Sequence, residues 1–480
     1  MKTNLIKKHI PLAAAAGALV GATLNAAEQP NIMAVIVDQL SAKVMSNAGC
    51  DWVKTPAIDR LAREGVRFDN ACCTYPLCTP VRASLLTGQR PFKSLSDPTK
   101  YKSVGTIMAN NGYTTAYIGK WHVGKTLLEN PEIRKWAGFK DSQPMHIDPD
   151  IEKATIKYLK RKHKKPFFLI TSFINPHDCC ELARKIGGWK GKATSFHKGG
   201  IIPDLSVPLS KTPPLPKNYS VNKLLPEVMQ RQTPSQGDNR ISLRPTGSWG
   251  EKEWRLYRYG YAKLVEDVDA RIGRILDTLD KMKLSSNTVV IFLSDHGDGI
   301  GAHAWNQKHA FYEEILRVPF IIRAPGGRMN TKNNTLVNTG LDFLPTILDF
   351  GGISSKGYPG ISLKGAVTTG PVTERNYIVA EHKRDTQGIG LAAHPKDAEY
   401  DRISKYADAD SRCIRTKEWK YIVFNKGKNP EMLFHLKSDP GELHNLINDP
   451  SALTQLNKMR QYLQQYKKQT GDKFNYSSFR

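Results

Sequence analysis

The chain has no Cys-x-x-Cys pair, no internal repeat and no heptad array, and past its N-terminus no apolar run is long enough to cross a bilayer. The first absence argues against a zinc-finger-like site, the second and third against solenoids and coiled coils, the last against a membrane-spanning architecture. Acidic residues are few beside basic ones: 45 Asp and Glu against 70 Lys and Arg, a formal charge of +25. Such a field concentrates polyanions. Nucleic acid would come first in a cytoplasm, but the N-terminus points elsewhere. A basic lead through Lys7 and Lys8, a short alanine-rich apolar run over residues 10–24, and Leu24-Asn25-Ala26-Ala27 predict a secretory signal peptide over residues 1–27. No cysteine lies near the cleavage region, which argues against a lipid-anchored mature end. The expectation is an exported, periplasmic or secreted protein without a membrane span. Its partner would be an anionic polysaccharide rather than nucleic acid, although a merely soluble basic surface fits the charge equally well.

What is present is an ordinary globular composition, 40% hydrophobic over 480 residues, enough for a large core and a second, smaller lobe. The seven cysteines, Cys50, Cys72, Cys73, Cys78, Cys179, Cys180 and Cys413, make an odd count for an oxidising compartment, so one has a separate fate while the other six are free to pair or not.

Four apolar runs read as strands of an α/β sheet, and each stops at polar residues. Ile32 to Val37 lacks alternation, as a strand buried on both faces does, and ends at Asp38-Gln39. Val289 to Leu293 ends at Ser294-Asp295-His296-Gly297, Phe167 to Ile170 leads to Asn175-Pro176-His177, and Thr115 to Ile118 leads to Gly119-Lys120-Trp121-His122. Helical spacing recurs between Tyr261 and Met282. Ligands of open α/β sheets bind beyond the carboxyl ends of the strands. Any one of these ends reads as a turn or a cap. Together they predict Asp38, Gln39, Asp295 and His296 around a cation, and Lys120, His122 and His177 around an anion. The oxygen-rich set suits Ca²⁺ or Mg²⁺ better than Zn²⁺.

Residues 78–88, Cys-Thr-Pro-Val-Arg-Ala-Ser-Leu-Leu-Thr-Gly, predict a short helix capped by Thr79, with Pro80 in its first turn and Gly88 closing it. Cys78 would then sit at the positive end of that helix, which favours an anion or a thiolate.

These residues resemble the sulfatase family of the alkaline-phosphatase-like superfamily. The likeness runs from Asn31-Ile32 into Asp38-Gln39, then through Asp59-Arg60-Leu61, Cys78-x-Pro80-x-Arg82 with Leu86-Thr87-Gly88, and Gly119-Lys120-Trp121-His122. It continues through Ser294-Asp295-His296-Gly297, Tyr312-Glu313-Glu314, and Asp439-Pro440-Gly441-Glu442. It implies an α/β fold with a large mixed, mostly parallel sheet flanked by helices over residues 28–365, and a smaller α+β subdomain with a short antiparallel sheet over 366–480. It also implies that a formylglycine-generating maturation enzyme converts Cys78 to formylglycine (3-oxoalanine), whose hydrate attacks sulfur and then ejects sulfate without a second nucleophile. One Ca²⁺ held by Asp38, Gln39, Cys78, Asp295 and His296 belongs to the same resemblance, as do Arg82 bracing the nucleophile, His122 supporting it, and Lys120 and Lys308 on the sulfate. Gln39 and His296 stand where the family often has Asp and Asn. His177 is the first candidate for general acid and Lys308 the second.

Residues 180–250, rich in Lys, Pro, Gly and Ser, read as a long insertion over the site mouth. Candidate sugar contacts are His177, His303, Trp305, His382, Lys383, Arg384 and Arg412, with His303 equally readable as a loop histidine held by Trp305. The expected substrate is a sulfated oligo- or polysaccharide such as a glycosaminoglycan. A phosphonate or phosphodiester hydrolase of the same superfamily, or an inert glycan-binding protein, are the rival readings.

Overall fold

Strand β1 (Asn31–Asp38) is buried along its whole length. Its unbroken apolar run follows from having a core on both faces. Met33, Val35 and Val37 pack with Tyr257, Tyr261, Leu264 and Val268 of the helix Glu251–Lys281. Ile32, Ala34 and Ile36 pack on the other side with Leu85 and Leu86 of the helix Cys78–Thr87 and with Phe343 and Leu344 of the helix Thr339–Phe350. The computed structural model describes residues 29–123, 130–188, 202–220, 224–230, 246, 249–383, 406 and 408–476.

The large sheet also contains β2 (Val66–Cys72), β3 (Thr114–Gly119), β4 (Asp141–Gln143), β5 (Phe167–Pro176), β6 (Thr288–Ser294), β7 (Phe320–Arg323) and β8 (Thr331–Asn338), in the order β4-β3-β5-β1-β6-β7-β2-β8. It is mixed and mostly parallel, as expected. Only β7 runs antiparallel to its neighbours β6 and β2. Register aligns Asp38 with Pro176, Val37 with Ser294, and Gly119 with Ser172, so four polar strand ends meet at one edge.

A separate antiparallel sheet, β9 (Ile378–Lys383), β10 (Asp410–Arg415), β11 (Trp419–Phe424) and β12 (Glu431–His435), forms the second lobe. One face packs Ile414, Tyr421 and Leu433 beneath Leu456, Met459 and Leu463 of the helix Leu453–Thr470. The other places Cys413, Ile422 and Phe434 against Phe311, Tyr312 and Ile315 of the first lobe. Lys420 seals the joint from β11, its Nζ 3.1 Å from Glu313 Oε1 and 2.5 Å from Glu442 Oε1.

All seven cysteines are buried and free. No helix among the described residues is long and apolar enough to cross a membrane. The expected signal peptide lies outside the described residues, as do much of the expected insertion and Arg384.

Candidate active site

One sequence expectation fails at the start of the helix Cys78–Thr87. Thr79 is not its cap: Leu77 holds the N-cap position, makes no side-chain cap bond, and Cys78 is the first helical residue. Proline is tolerated throughout a first turn, where N–H groups have no intrahelical acceptor, so Pro80 does not hold the helix back to residue 80. Gly88 closes it at φ +64°, as expected. Arg82 lies one turn after Cys78, on the same face.

That turn sets the electrostatics of the site. Buried Arg82 donates from Nε to Asp295 Oδ2 at 2.8 Å, from one terminal nitrogen to Asp38 Oδ2 at 3.2 Å, and from the other to Ser172 Oγ at 2.9 Å and the Lys120 carbonyl at 3.0 Å. Lys120 Nζ lies 2.6 Å from Asp38 Oδ2. Burial disfavours the Asp38 carboxylate, and so does the Cys78 sulfur, but Lys120, His177 and Arg82 outweigh them and hold it well below the usual carboxylate range.

Both carboxylates therefore keep one oxygen on Arg82 and turn the other inward. Asp38, Cys78, Asp295 and His296 each offer a donor atom within 4.8 Å of the others. His296 Nδ1 meets the Gly297 carbonyl at 2.9 Å, which assigns the ring proton to Nδ1 and leaves the Nε2 lone pair facing Cys78 Sγ at 3.1 Å. Gln39 Oε1 accepts from Lys308 Nζ at 3.1 Å, and Lys308 Nζ lies 3.2 Å from Cys78 Sγ. Two carboxylate oxygens, an amide oxygen and one imidazole nitrogen fit a hard divalent cation.

The same groups favour negative charge at position 78. Burial pushes the Cys78 thiol up, but Lys308, Lys120, His296 and the hydrogen-bonded His122 override it and hold it well below its ordinary value. An anion or a developing alkoxide there would feel the same field. Beyond β5, His177 Nε2 lies 3.9 Å from Cys180 Sγ. Burial opposes the imidazolium, yet the Cys180 sulfur and Asp38 push His177 up to about 9. Asp148 accepts the Ile174 and Asn175 amides at 2.7 and 3.0 Å and so anchors the strand end that presents His177.

The family model described as Sulfatase matches residues 30–353. The chain belongs to the sulfatase family. It is 28% identical to the Delta 4,5-hexuronate-2-O-sulfatase of Bacteroides thetaiotaomicron, over 94% of this chain and 91% of that one. A solved 2-O GAG sulfatase superposes with TM-score 0.76 at 27% identity, covering 93% of each chain. The phosphonate monoester hydrolase of Agrobacterium radiobacter shares the fold alone, with TM-score 0.72 at 20% identity over 92% of this chain and 96% of that one. The protein is a sulfatase, an enzyme that hydrolyses sulfate esters.

Not every expected residue of this sulfatase converges on Cys78. His303 stacks on Tyr312, with ring centroids 3.8 Å apart, and groups with Glu314 and Glu442. Tyr312 holds it by stacking, while Trp305 donates its indole N–H to the Lys308 carbonyl. Arg412 is committed to Asp472 through two bonds of 2.7 and 2.8 Å inside the second lobe, which corrects its reading as a sugar contact. His382 meets His309, the neighbour of Lys308, at 3.1 Å, and Lys383 is exposed.

Sequence reasoning missed three residues: Cys180, Asp298 and Gln307. Asp298 follows Asp295 on the same strand end, Cys180 follows His177 by three residues, and Gln307 precedes Lys308. Adjacency to assigned residues was the only signal.

Proposed function

We propose that this sulfatase removes sulfate from a sulfated carbohydrate, of glycosaminoglycan type, after export from the cytoplasm. The carrying observation is the convergence on Cys78 of Lys308, His296 and His122, beside Arg82-braced Asp38 and Asp295. The named activity of the Bacteroides relative supports the substrate class.

In this reading Cys78 is converted to formylglycine, whose hydrated aldehyde supplies the nucleophile. A calcium ion held by Asp38, Gln39, Cys78, Asp295 and His296 would supply Lewis acidity and charge neutralisation. Arg82 fixes both carboxylates and so the spacing of the donor set. Lys120 and Lys308 bind the sulfate oxygens, and His122 supports the hydroxyl at position 78. His177 holds a proton on its imidazole near neutral pH and delivers it to the departing sugar oxygen, a poor leaving group without it.

The test is co-expression with a formylglycine-generating enzyme, mass spectrometry of the peptide carrying Cys78, and assay on sulfated saccharides beside aryl sulfate, phosphodiester and phosphonate esters. Saccharide desulfation is expected. Preferred turnover of the phosphonate would instead favour the hydrolase reading that the shared fold allows, and a retained thiol with glycan binding but no hydrolysis would favour an inert binder.

A further inference from the structure

Asp298 is fully buried, and its Oδ2 accepts from Gln39 Nε2 at 2.7 Å, the Tyr257 hydroxyl at 2.9 Å and the Gln307 backbone N–H at 3.0 Å. These bonds decide how two side-chain amides are turned, a matter that heavy-atom positions alone leave ambiguous. Reversing Gln39 would press its oxygen on the Asp298 carboxylate and its NH₂ on the Lys308 ammonium, so its NH₂ faces Asp298. Gln307 Oε1 then accepts from that NH₂ at 3.2 Å. Reversing Gln307 would set NH₂ against NH₂. The chain of bonds thus leaves Gln307 Nε2 over, a buried donor with no partner among the described residues.

An unmet buried donor is destabilising, because it gives up its hydrogen bond to water and gains none. Gln307 also holds φ +65°, in the left-handed region disfavoured for a residue with a side chain. Gln39 at φ +73° and His122 at φ +50° share this feature. Two local costs on one residue between His177's neighbour Cys180 and the Gln39–Lys308 pair indicate that its place is set by something other than stability. Gln307 is no less accessible than the proposed nucleophile, since both it and Cys78 are 1% exposed.

We propose that Gln307 is a substrate-contacting residue whose Nε2 donates a hydrogen bond to an oxygen of the bound sulfate ester, with Asp298 and Gln39 as the positioning residues that turn it. This rests on the sulfatase reading above. The acceptor belongs either to the sulfuryl group or to the sugar carrying it.

Binding separates these sources without relying on turnover. Isothermal titration of inorganic sulfate, and of a panel of sulfated hexuronate and hexosamine disaccharides, is compared between Cys78→Ala and Cys78→Ala/Gln307→Ala, with calcium affinity measured on both. A roughly tenfold or greater weakening for disaccharide alone assigns the donor to a sugar oxygen; equal weakening for both ligands assigns it to the sulfuryl group. Unchanged affinities for both overturn the proposal. So does weakening that appears only with lost calcium affinity, because Gln307 would then act through Gln39. Gln307→Glu keeps the acceptor facing Gln39 but removes the donor; disaccharide affinity equal to that of the parent would also overturn it. If nothing binds Cys78→Ala and wild type turns over no sulfate ester, the sulfatase reading of the site fails instead.

Discussion

Replacing His177 by Asn tests the proton-transfer step more sharply than replacing the nucleophile. The imidazole is pushed from its ordinary 6.5 up to about 9, against burial, chiefly by the Cys180 sulfur 3.9 Å away. A general acid works in its protonated form, so turnover of a saccharide should hold through neutral pH and fall as pH rises through about 9. Removing the acid should cost about 10²–10⁴ in kcat, or about 3–5 kcal/mol of transition-state stabilisation. That loss depends on the leaving group. A sugar alkoxide needs the proton, whereas a nitrophenolate departs without it, so His177→Asn should spare most activity on an activated aryl sulfate. Cys180→Ala removes the group that raises His177 most, while burial, Lys120 and Lys308 still oppose the imidazolium, so the basic limb should move down to about 6.5 or lower. At pH 7.5 the protonated fraction would fall from nearly all to about a tenth or less, costing about tenfold or more on saccharide and little on the aryl ester. The assay is kcat against pH for both substrates in wild type and both variants. Equal losses on the two substrates, or a basic limb that stays in place without Cys180, would refute the assignment and move the role to Lys308.

Cys78→Ala should abolish turnover with an unaltered circular dichroism spectrum; undiminished hydrolysis would remove the nucleophile assignment. Chelation should silence the matured enzyme and calcium should restore it, with calorimetric titration giving one site; activity that survives verified metal removal counts against the cation. Arg82→Gln strips two buried carboxylates of their shared partner, a change worth about 3–5 kcal/mol, and calcium should recover part of the loss in a denaturant titration. Gly119→Ala would set a Cβ 2.0 Å from the Ser172 carbonyl oxygen at φ +108°, so expression or thermal stability should collapse, and a stable, active variant would show the turn before Lys120 to be adaptable.

The fold was legible because its central strands are buried on both faces. Such strands need continuous apolar runs, and the polar residues at their ends break those runs visibly, as at Asp38 and Asp295. Gly88 was legible for a local reason, its left-handed φ. The start of that helix was not, because a first turn accepts Thr79 and Pro80 in more than one register. Arg412 was misread because a basic residue on a short strand looks the same facing a substrate or facing Asp472, a partner 60 residues away. Asp298 and Gln307 escaped for a related reason. Their importance lies in hydrogen-bond direction, which composition and spacing do not encode.

Gln39 ties these strands together through charge. Two carboxylates, Asp38 and Asp295, face three cations, Arg82, Lys120 and Lys308, so the cluster is already positive before any metal is counted. A carboxylate at position 39 would cancel that excess and grip a divalent ion harder. An amide there still offers an oxygen, with Asp298 supplying its negative charge one bond further out, against the NH₂ group. The arrangement gives up Coulombic attraction for the cation and retains it for an anion beside Lys120 and Lys308. Reversing the Gln39 amide would undo both halves at once, which is why Asp298, distant from Cys78 in the chain, belongs to the same device.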